Sequence, residues 1–273
     1  MKPVNLLPKI FTNRSYDNAG LKMADNDGPA YVVYGKRGIG KCSMELDLSD
    51  LSIQNVRKSD NKTVNAYMFL GADIYENDRW INCFDTGFCY SGNPGRWHLF
   101  YNIFDPSESA RGWYESEITL EKSHDYRLEL DMLRVNGYAV ISIYDITEKV
   151  YADIALFRVK GLDNTGENTA PLMNFALDYP EDVKKSRDGK PSDDWAEITL
   201  YNTDEGLKLT NINVRNARVY KDGKGYAWTP KYTDHRGVWP DISYKMFDYD
   251  CTKITFGHRI TDTDYTVDLD MNR

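Results

Sequence analysis

The sequence predicts an all-β fold, a two-sheet antiparallel β-sandwich with little helix. Three observations predict it. Between Val64 and Ile103 three consecutive segments alternate strictly between apolar and other side chains, the period of a strand with one buried face. Short segments of the same kind recur along the chain, separated by glycine, asparagine and proline turn signals. No run keeps a helical period for more than a turn or two. A chain of 273 residues is long enough for one large β domain with an ample core.

The elements follow in order. Tyr31 to Tyr34 is a strand closed by Gly35, Gly38 and Gly40, and Lys41 to Leu48 is the next, before a polar loop from Ser49 to Lys62. In the first strictly alternating segment Val64, Ala66, Met68, Leu70, Ala72 and Ile74 oppose Asn65, Tyr67, Phe69, Asp73 and Tyr75. The second places Trp80, Asn82, Phe84, Thr86, Phe88 and Tyr90 on one side. After the turn Ser91-Gly-Asn-Pro-Gly95, the third sets Trp97, Leu99, Tyr101 and Ile103 against Arg96, His98, Phe100 and Asn102. Asp105 to Gly112 reads as a loop. Trp113 to Leu120 reads as a strand with Tyr114, Ser116, Ile118 and Leu120 on one side. Tyr126 to Met132 and Tyr138 to Tyr144 form a hairpin around Asn136-Gly137, a dipeptide suited to positive φ. Val150 to Val159, Leu172 to Asp178, Ile198 to Tyr201 and Leu207 to Tyr220 continue the strands, and Glu181 to Asp194 is the candidate mobile loop. Residues 226–273 hold Trp228, His235, Trp239 and His258 and end acidic. No Pro/Gly/Ser linker precedes them, so they read as extra strands of the domain formed by residues 1–225.

The net charge of -8 and a pI near 5.1 argue against nucleic acid, which needs a basic stripe. No apolar run approaches the ~20 residues of a membrane span. The N-terminus MKPVNLLPKIF lacks the apolar region of a signal peptide. A composition rich in Tyr, Trp, Asn and Asp still suggests an extracellular or cell-surface protein. The four cysteines, Cys42, Cys83, Cys89 and Cys251, permit three disulfide connectivities; Cys83 and Cys89 lie too far apart along one strand to bridge each other, and free, half-buried thiols are the first reading.

The runs His124 to Asp145 (HDYRLELDMLRVNGYAVISIYD), Gly206 to Tyr220 (GLKLTNINVRNARVY) and Trp80 to Tyr101 (WINCFDTGFCYSGNPGRWHLFY) resemble strands of the concanavalin A-like lectin/glucanase superfamily. The resemblance spans about Tyr31 to Tyr220. It implies a jelly-roll sandwich whose concave sheet binds carbohydrate, and a structural calcium. It also implies the acidic run of the superfamily's glucanases, E-x-D-x-x-E or E-x-D-x-E. Here Glu129-Leu-Asp131 and Glu45-Leu-Asp47 both lack the final acid.

The face carrying Asn65, Tyr67, Phe69, Asp73, Tyr75, Arg96, His98 and Asn102 is unusual for a sheet surface. Flat rings offer a sugar's C–H groups a stacking surface, and amides and charges meet its hydroxyls. The leading reading is a carbohydrate-binding sandwich, with Asn65, Phe69, Asp73, Tyr75, Trp80 and Asn102 binding an oligo- or polysaccharide and no cofactor required. The second is a carbohydrate-active enzyme. A lyase would use His98 as base, Arg96 to neutralise a uronate and Tyr67 beside them. A glycosidase would need two carboxyl groups about 5–5.5 Å or ~6.5–9.5 Å apart. Glu115 and Glu117, Glu129 and Asp131, and Glu45 and Asp47 have the closer spacing, but each pair reads first as a solvated strand face. The third reading is a structural or adhesion module that contacts protein. Asp25-Asn-Asp27-Gly28 is either a calcium turn using Asp25 and Asp27 or a plain acidic turn, and the aspartates between Asp262 and Asp270 crowd the C-terminus.

Overall fold

The computed structural model describes residues 9–11, 30–92, 94–104, 112–178, 185–186, 198–200, 205–239, 253–256 and 263–271. Along the chain, β1 is Lys9–Phe11, β2 Ala30–Gly35, β3 Lys41–Asp47, β4 Ser52–Gln54, β5 Ala66–Glu76, β6 Arg79–Gly92 and β7 Gly95–Phe104. Then come β8 Gly112–Glu115, β9 Asp125–Val135, β10 Tyr138–Asp145, β11 Val150–Arg158, β12 Thr169–Leu177, β13 Lys185–Ser186 and β14 Ile198–Leu200. The last are β15 Lys208–Lys221, β16 Lys224–Ala227, β17 Thr233–Trp239, β18 Lys253–Phe256 and β19 Tyr265–Asp270. The helix among the described residues is a single 3-10 turn, Pro230–Tyr232.

Two sheets pack as a β-sandwich. The first runs β1-β11-β10-β9-β3-β15-β19-β18, with β4 and β16 also paired to β15. The second runs β17-β2-β12-β5-β6-β7-β8. Pairing is antiparallel except at the short edge strand β1, which runs parallel to β11. Strands β17 to β19, from the C-terminal segment, extend the two sheets at their edges.

The hairpins follow from their turn residues. Asn77 and Asp78, between β5 and β6, both take positive φ, as do Asp222 and Gly223 between β15 and β16. Two consecutive positive-φ residues match the right-handed twist of the flanking strands. Gly137, between β9 and β10, also has positive φ.

The core lies between the sheets and takes the apolar side of each alternation: Met68, Leu70 and Ile74 from β5, Phe84 and Phe88 from β6, Trp97 and Leu99 from β7, and Leu128, Leu130 and Met132 from β9. Rings interlock across the layers. Phe157 of the first sheet stacks on Tyr101 at 4.6 Å and meets Phe84 edge-on at 5.3 Å. Burying one such ring stabilises by about 1.5–3 kcal/mol.

Two local departures from strict alternation shape the functional face. The β5–β6 register runs Ile74 to Asn82, then Tyr75 to Trp80. A bulge at Ile81 therefore turns Trp80 away from the side shared by Phe84, Phe88 and Tyr90, onto the opposite face beside Tyr75. The strand expected over Trp113 to Leu120 stops at Glu115. Beyond it Ser116 is buried, its hydroxyl bonded to Asp153, and Trp97 and Leu120 make an isolated bridge.

The outward face of the first sheet carries the acid pairs on β3 and β9. Glu129 and Asp131 meet the Lys41 ammonium at 2.8 and 3.5 Å, and Glu45 accepts from the Asn216 amide at 2.9 Å. These carboxylates have partners on a strand surface.

Candidate functional site

The outer face of the second sheet, away from the core, arranges its side chains in rows across the strands. One row crosses all seven: His235, Tyr34, Leu172, Gly71, Asp85, Asn102, Trp113. The next holds Asn174, Phe69, Gly87, Phe100 and Glu115, and the one beyond it Ala176, Tyr67, Cys89 and His98. On the other side of the first row stand Asp73, Cys83 and Phe104, then Tyr75 and Trp80.

Burial divides this face in two. Tyr67, Phe69, Cys89, His98, Phe100 and Ala176 are buried, and all but His98 form a second apolar cluster together with Ala30, Val32 and Leu172. Its rings pack closely: Tyr67 to Phe100 at 5.2 Å and tilted, Phe69 to Phe100 at 5.7 Å and edge-on, Phe100 to Trp113 at 5.2 Å and tilted. The expectation that Tyr67 and Phe69 stand open as stacking platforms is corrected here. They are wall-to-wall with other rings, a structural layer of the kind aromatic pairs favour.

Most polar groups of the buried half are engaged as well. The Tyr67 hydroxyl donates to Asp178 Oδ2 at 3.0 Å and accepts from Asn65 Nδ2 at 3.0 Å. Burial, then the Asp178 charge, push the Tyr67 phenol well above its ordinary pKa, so it stays protonated. His98 Nδ1 lies 3.1 Å from the Arg96 carbonyl oxygen and Nε2 lies 2.9 Å from Glu115 Oε2. Arg96 Nη2 donates to the Ser116 carbonyl at 3.0 Å, while its Nη1 is buried without a hydrogen-bond partner. In this arrangement neither Tyr67 nor His98 offers a free base to an incoming uronate. Glu115, expected to share a solvated face with Glu117, instead accepts from Trp113 Nε1 at 3.0 Å and Ser91 Oγ at 3.1 Å. Burial pushes the Glu115 carboxyl up, but bonds from His98, Trp113 and Ser91 outweigh it and hold its pKa below the usual value.

The other half is accessible. Trp80 is 41 % exposed, and Asp73, Tyr75, Cys83, Asp85, Asn102, Phe104 and Trp113 are half-buried. The Trp80 indole N–H donates to Asp73 Oδ1 at 3.0 Å, and its ring lies 5.9 Å from Phe104. Burial raises the Asp73 pKa. Arg37 sits 5.0 Å over the Tyr75 ring, and His235 stacks on Tyr34 at 4.4 Å. Gly71 occupies the middle of the long row because nothing larger fits. A Cβ there would come within 2.5 Å of the Phe84 carbonyl and 2.7 Å of Asp85 Oδ1. Asp85 and Asn102 thus lie in a row with rings at both ends, and Asp85 Oδ1 and the Leu172 side chain lie over Gly71. Asn102 Oδ1 is buried without a hydrogen-bond partner.

No protein-family model and no curated protein matches this chain. Among solved structures it is similar to scytalido-glutamic peptidase in complex with a peptide-based transition-state analog. The two are 10% identical, with a TM-score of 0.47, over 88% of this chain and 97% of that one. A second complex of that peptidase gives 0.46 at 10% identity, with the same coverage of both chains. The chain also resembles the full-length tailspike protein 2 of the Escherichia coli bacteriophage CAB120, at 9% identity and a TM-score of 0.31, over 66% of this chain and 20% of that one. These are distant likenesses, and the reading of the site rests on this chain's own residues.

Of the residues singled out from sequence, Asp73, Tyr75, Trp80 and Asn102 gather at the accessible end. Asn65, Tyr67, Phe69, Arg96 and His98 belong to the buried end. Asp25 and Asp27, Cys251, and most of Glu181 to Asp194 lie outside the described residues. Asp264 and Asp268 accept backbone N–H groups of Asn216 and Asn211 at 3.1 and 2.6 Å, at two irregularities of β15. Sequence reading passed over Asp85, Trp113, Tyr34 and His235. The signal for Asp85 was its parity with Cys83 and Cys89. The other three needed the pairing of β2, β8 and β17 to be known.

Proposed function

We propose that the accessible half of this outer face binds a neutral oligo- or polysaccharide, laid across the strands along the Gly71 row. The observation that carries the reading is an exposed ring, Trp80, beside the half-buried polar side chains Asp73, Asp85 and Asn102 on one side of the sheet. From Tyr34 on β2 to Trp113 on β8 there are five inter-strand steps, so the row spans about 24 Å at ~4.8 Å per step. That length suits several sugar rings end to end. Trp80, backed by Phe104 and fixed by Asp73, offers a stacking face. Asp85, half-buried, and the Asn102 amide, once rotated to turn out its buried and unpartnered oxygen, would meet sugar hydroxyls. The carboxylates of Asp73 and Asp85 and the overall charge of -8 disfavour a uronic polymer. The resemblance of these strands to concanavalin A-like lectins points to the same ligand class.

A hydrolytic reading stands second. Asp73 has a raised pKa from burial and stands diagonal to Asp85 across β5 and β6. A carboxyl with a raised pKa beside a second carboxyl is the arrangement of an acid and its partner in glycoside cleavage.

The test uses a neutral-glycan array with Trp80→Ala beside the unsubstituted chain. Retention should fall about tenfold or more, equivalent to ~1.4 kcal/mol, while the thermal midpoint moves by only about 2–4 °C. Absence of retention by the unsubstituted chain on every neutral glycan overturns the proposal, as does unchanged retention by the variant. New reducing ends, lost in Asp73→Asn, would select the hydrolytic reading.

A further inference from the structure

The buried half of the same face holds a cluster that saccharide binding does not use. Cys89 of β6, His98 of β7 and Glu115 of β8 come from three adjacent strands. The Cys89 sulfur, a His98 ring nitrogen and a Glu115 carboxylate oxygen all lie within 4.8 Å of one another. Cys89 and His98 are fully buried, while the Glu115 side chain is 31% exposed.

The histidine's partners define what the cluster lacks. Nδ1 faces the Arg96 carbonyl oxygen at 3.1 Å and Nε2 faces a Glu115 carboxylate oxygen at 2.9 Å. With the ring proton on Nδ1, as that carbonyl favours, Nε2 presents its lone pair toward the same point as the carboxylate and the sulfur. A backbone carbonyl on one ring nitrogen is also how proteins fix a metal-binding imidazole. The thiol at the same point adds a sulfur donor.

We propose that Cys89, His98 and Glu115 form a binding site for a thiophilic divalent cation of the zinc type. Nitrogen, oxygen and sulfur donors from three residues, with a fourth position left for water on the exposed Glu115 side, match what zinc accepts. Zinc bonds of ~2.0–2.3 Å in a tetrahedron set nitrogen and oxygen ligands about 3.3 Å apart. A withdrawal of Glu115 by a few tenths of an ångström therefore opens the gap. Trp113 Nε1 and Ser91 Oγ steady its carboxylate from outside. Charge also balances. The thiolate, Glu115 and nearby Asp178 would offset a divalent cation together with the Arg96 guanidinium, against the burial and the two carboxylates that push the Cys89 thiol up when no cation is bound. Binding displaces the Cys89 thiol proton and any proton held between His98 and Glu115. The inference is independent of the saccharide reading.

Cobalt(II) added to the full chain tests it. One equivalent should give a near-ultraviolet thiolate-to-cobalt charge-transfer band and tetrahedral visible bands, both bleached by one equivalent of zinc. Cys89→Ala and Glu115→Gln should each lower cobalt affinity tenfold or more, and Cys89→Ala should abolish the thiolate band. Cys42→Ala, Cys83→Ala and Cys251→Ala should keep it. The Glu115 variant changes a partly exposed side chain, so the test stands even if Cys89→Ala misfolds. Absence of a thiolate band, its survival in Cys89→Ala, or unaltered affinity in Glu115→Gln would leave the cluster a buried ion pair and overturn the proposal.

Discussion

Phe69→Ala separates a ring that holds the sheet from a ring that holds a ligand. Phe69 is 6% exposed and meets Tyr67 at 6.4 Å and Phe100 at 5.7 Å, both nearly perpendicular. Removing a buried phenyl loses its transfer energy and leaves a cavity, about 3–5 kcal/mol in comparable cores. Edge-to-face partners contribute ~0.5–1.5 kcal/mol per pair within such totals. The ladder on either side of Phe69 keeps Asn174 and Gly87 in register, so the backbone is not free to collapse into the space. The expected loss is therefore about 3–5 kcal/mol. In urea, at an m of ~3 kcal/mol/M, the midpoint drops by roughly 1–1.7 M with m unchanged. Trp80→Ala, measured alongside, should shift it by a few tenths. A Phe69→Ala loss below about 1 kcal/mol would refute the argument that these rings are a second packed layer.

Two further outcomes follow from particular contacts. The His124 pKa is raised, chiefly by its hydrogen bond to Asp145 at 2.7 Å. A raised folded-state value stabilises fully below the unfolded pKa of about 6.5 and is lost as pH rises through the folded value. Stability should thus decline as pH climbs past ~6.5, and His124→Gln should flatten that slope in urea titrations. Gly71→Ala puts a methyl within 2.5 Å of a backbone carbonyl that cannot step aside. We expect it to cost about 1–3 kcal/mol and to weaken glycan retention. A variant as stable and as retentive as the parent would show that the binding row is not where it is placed here.

Much of the sandwich was legible because alternation reports burial directly. Tyr126, Leu128, Leu130 and Met132 read as one inward face and are one. The Asn136-Gly137 turn fixed its hairpin for the same local reason. What escaped the sequence was non-local. Tyr67, Phe69 and Phe100 are rings on a sheet face whether or not other groups close over them, so their periodicity is the same in a groove and in a second core. The bulge at Ile81 reverses the parity of Trp80 without leaving a mark in composition. Glu115 looked like half of a solvated acid pair with Glu117. Its role depends on β8 ending there and on His98, seventeen positions earlier, lying one strand away. Cys89 and His98 are register partners, a pairing that no spacing along the chain announces.

The central claim is that one sheet face divides into a closed structural half and an open saccharide-binding half. Indole N–H resonances of the labelled chain, followed while a neutral oligosaccharide retained on the array is titrated in, test it most directly. The Trp80 signal, from an exposed ring bonded to Asp73, should shift saturably, and that of Trp113 should follow. Those of Trp97 and Trp228, buried in the interlayer core, should stay fixed. A saturating titration that leaves Trp80 and Trp113 in place would contradict the account.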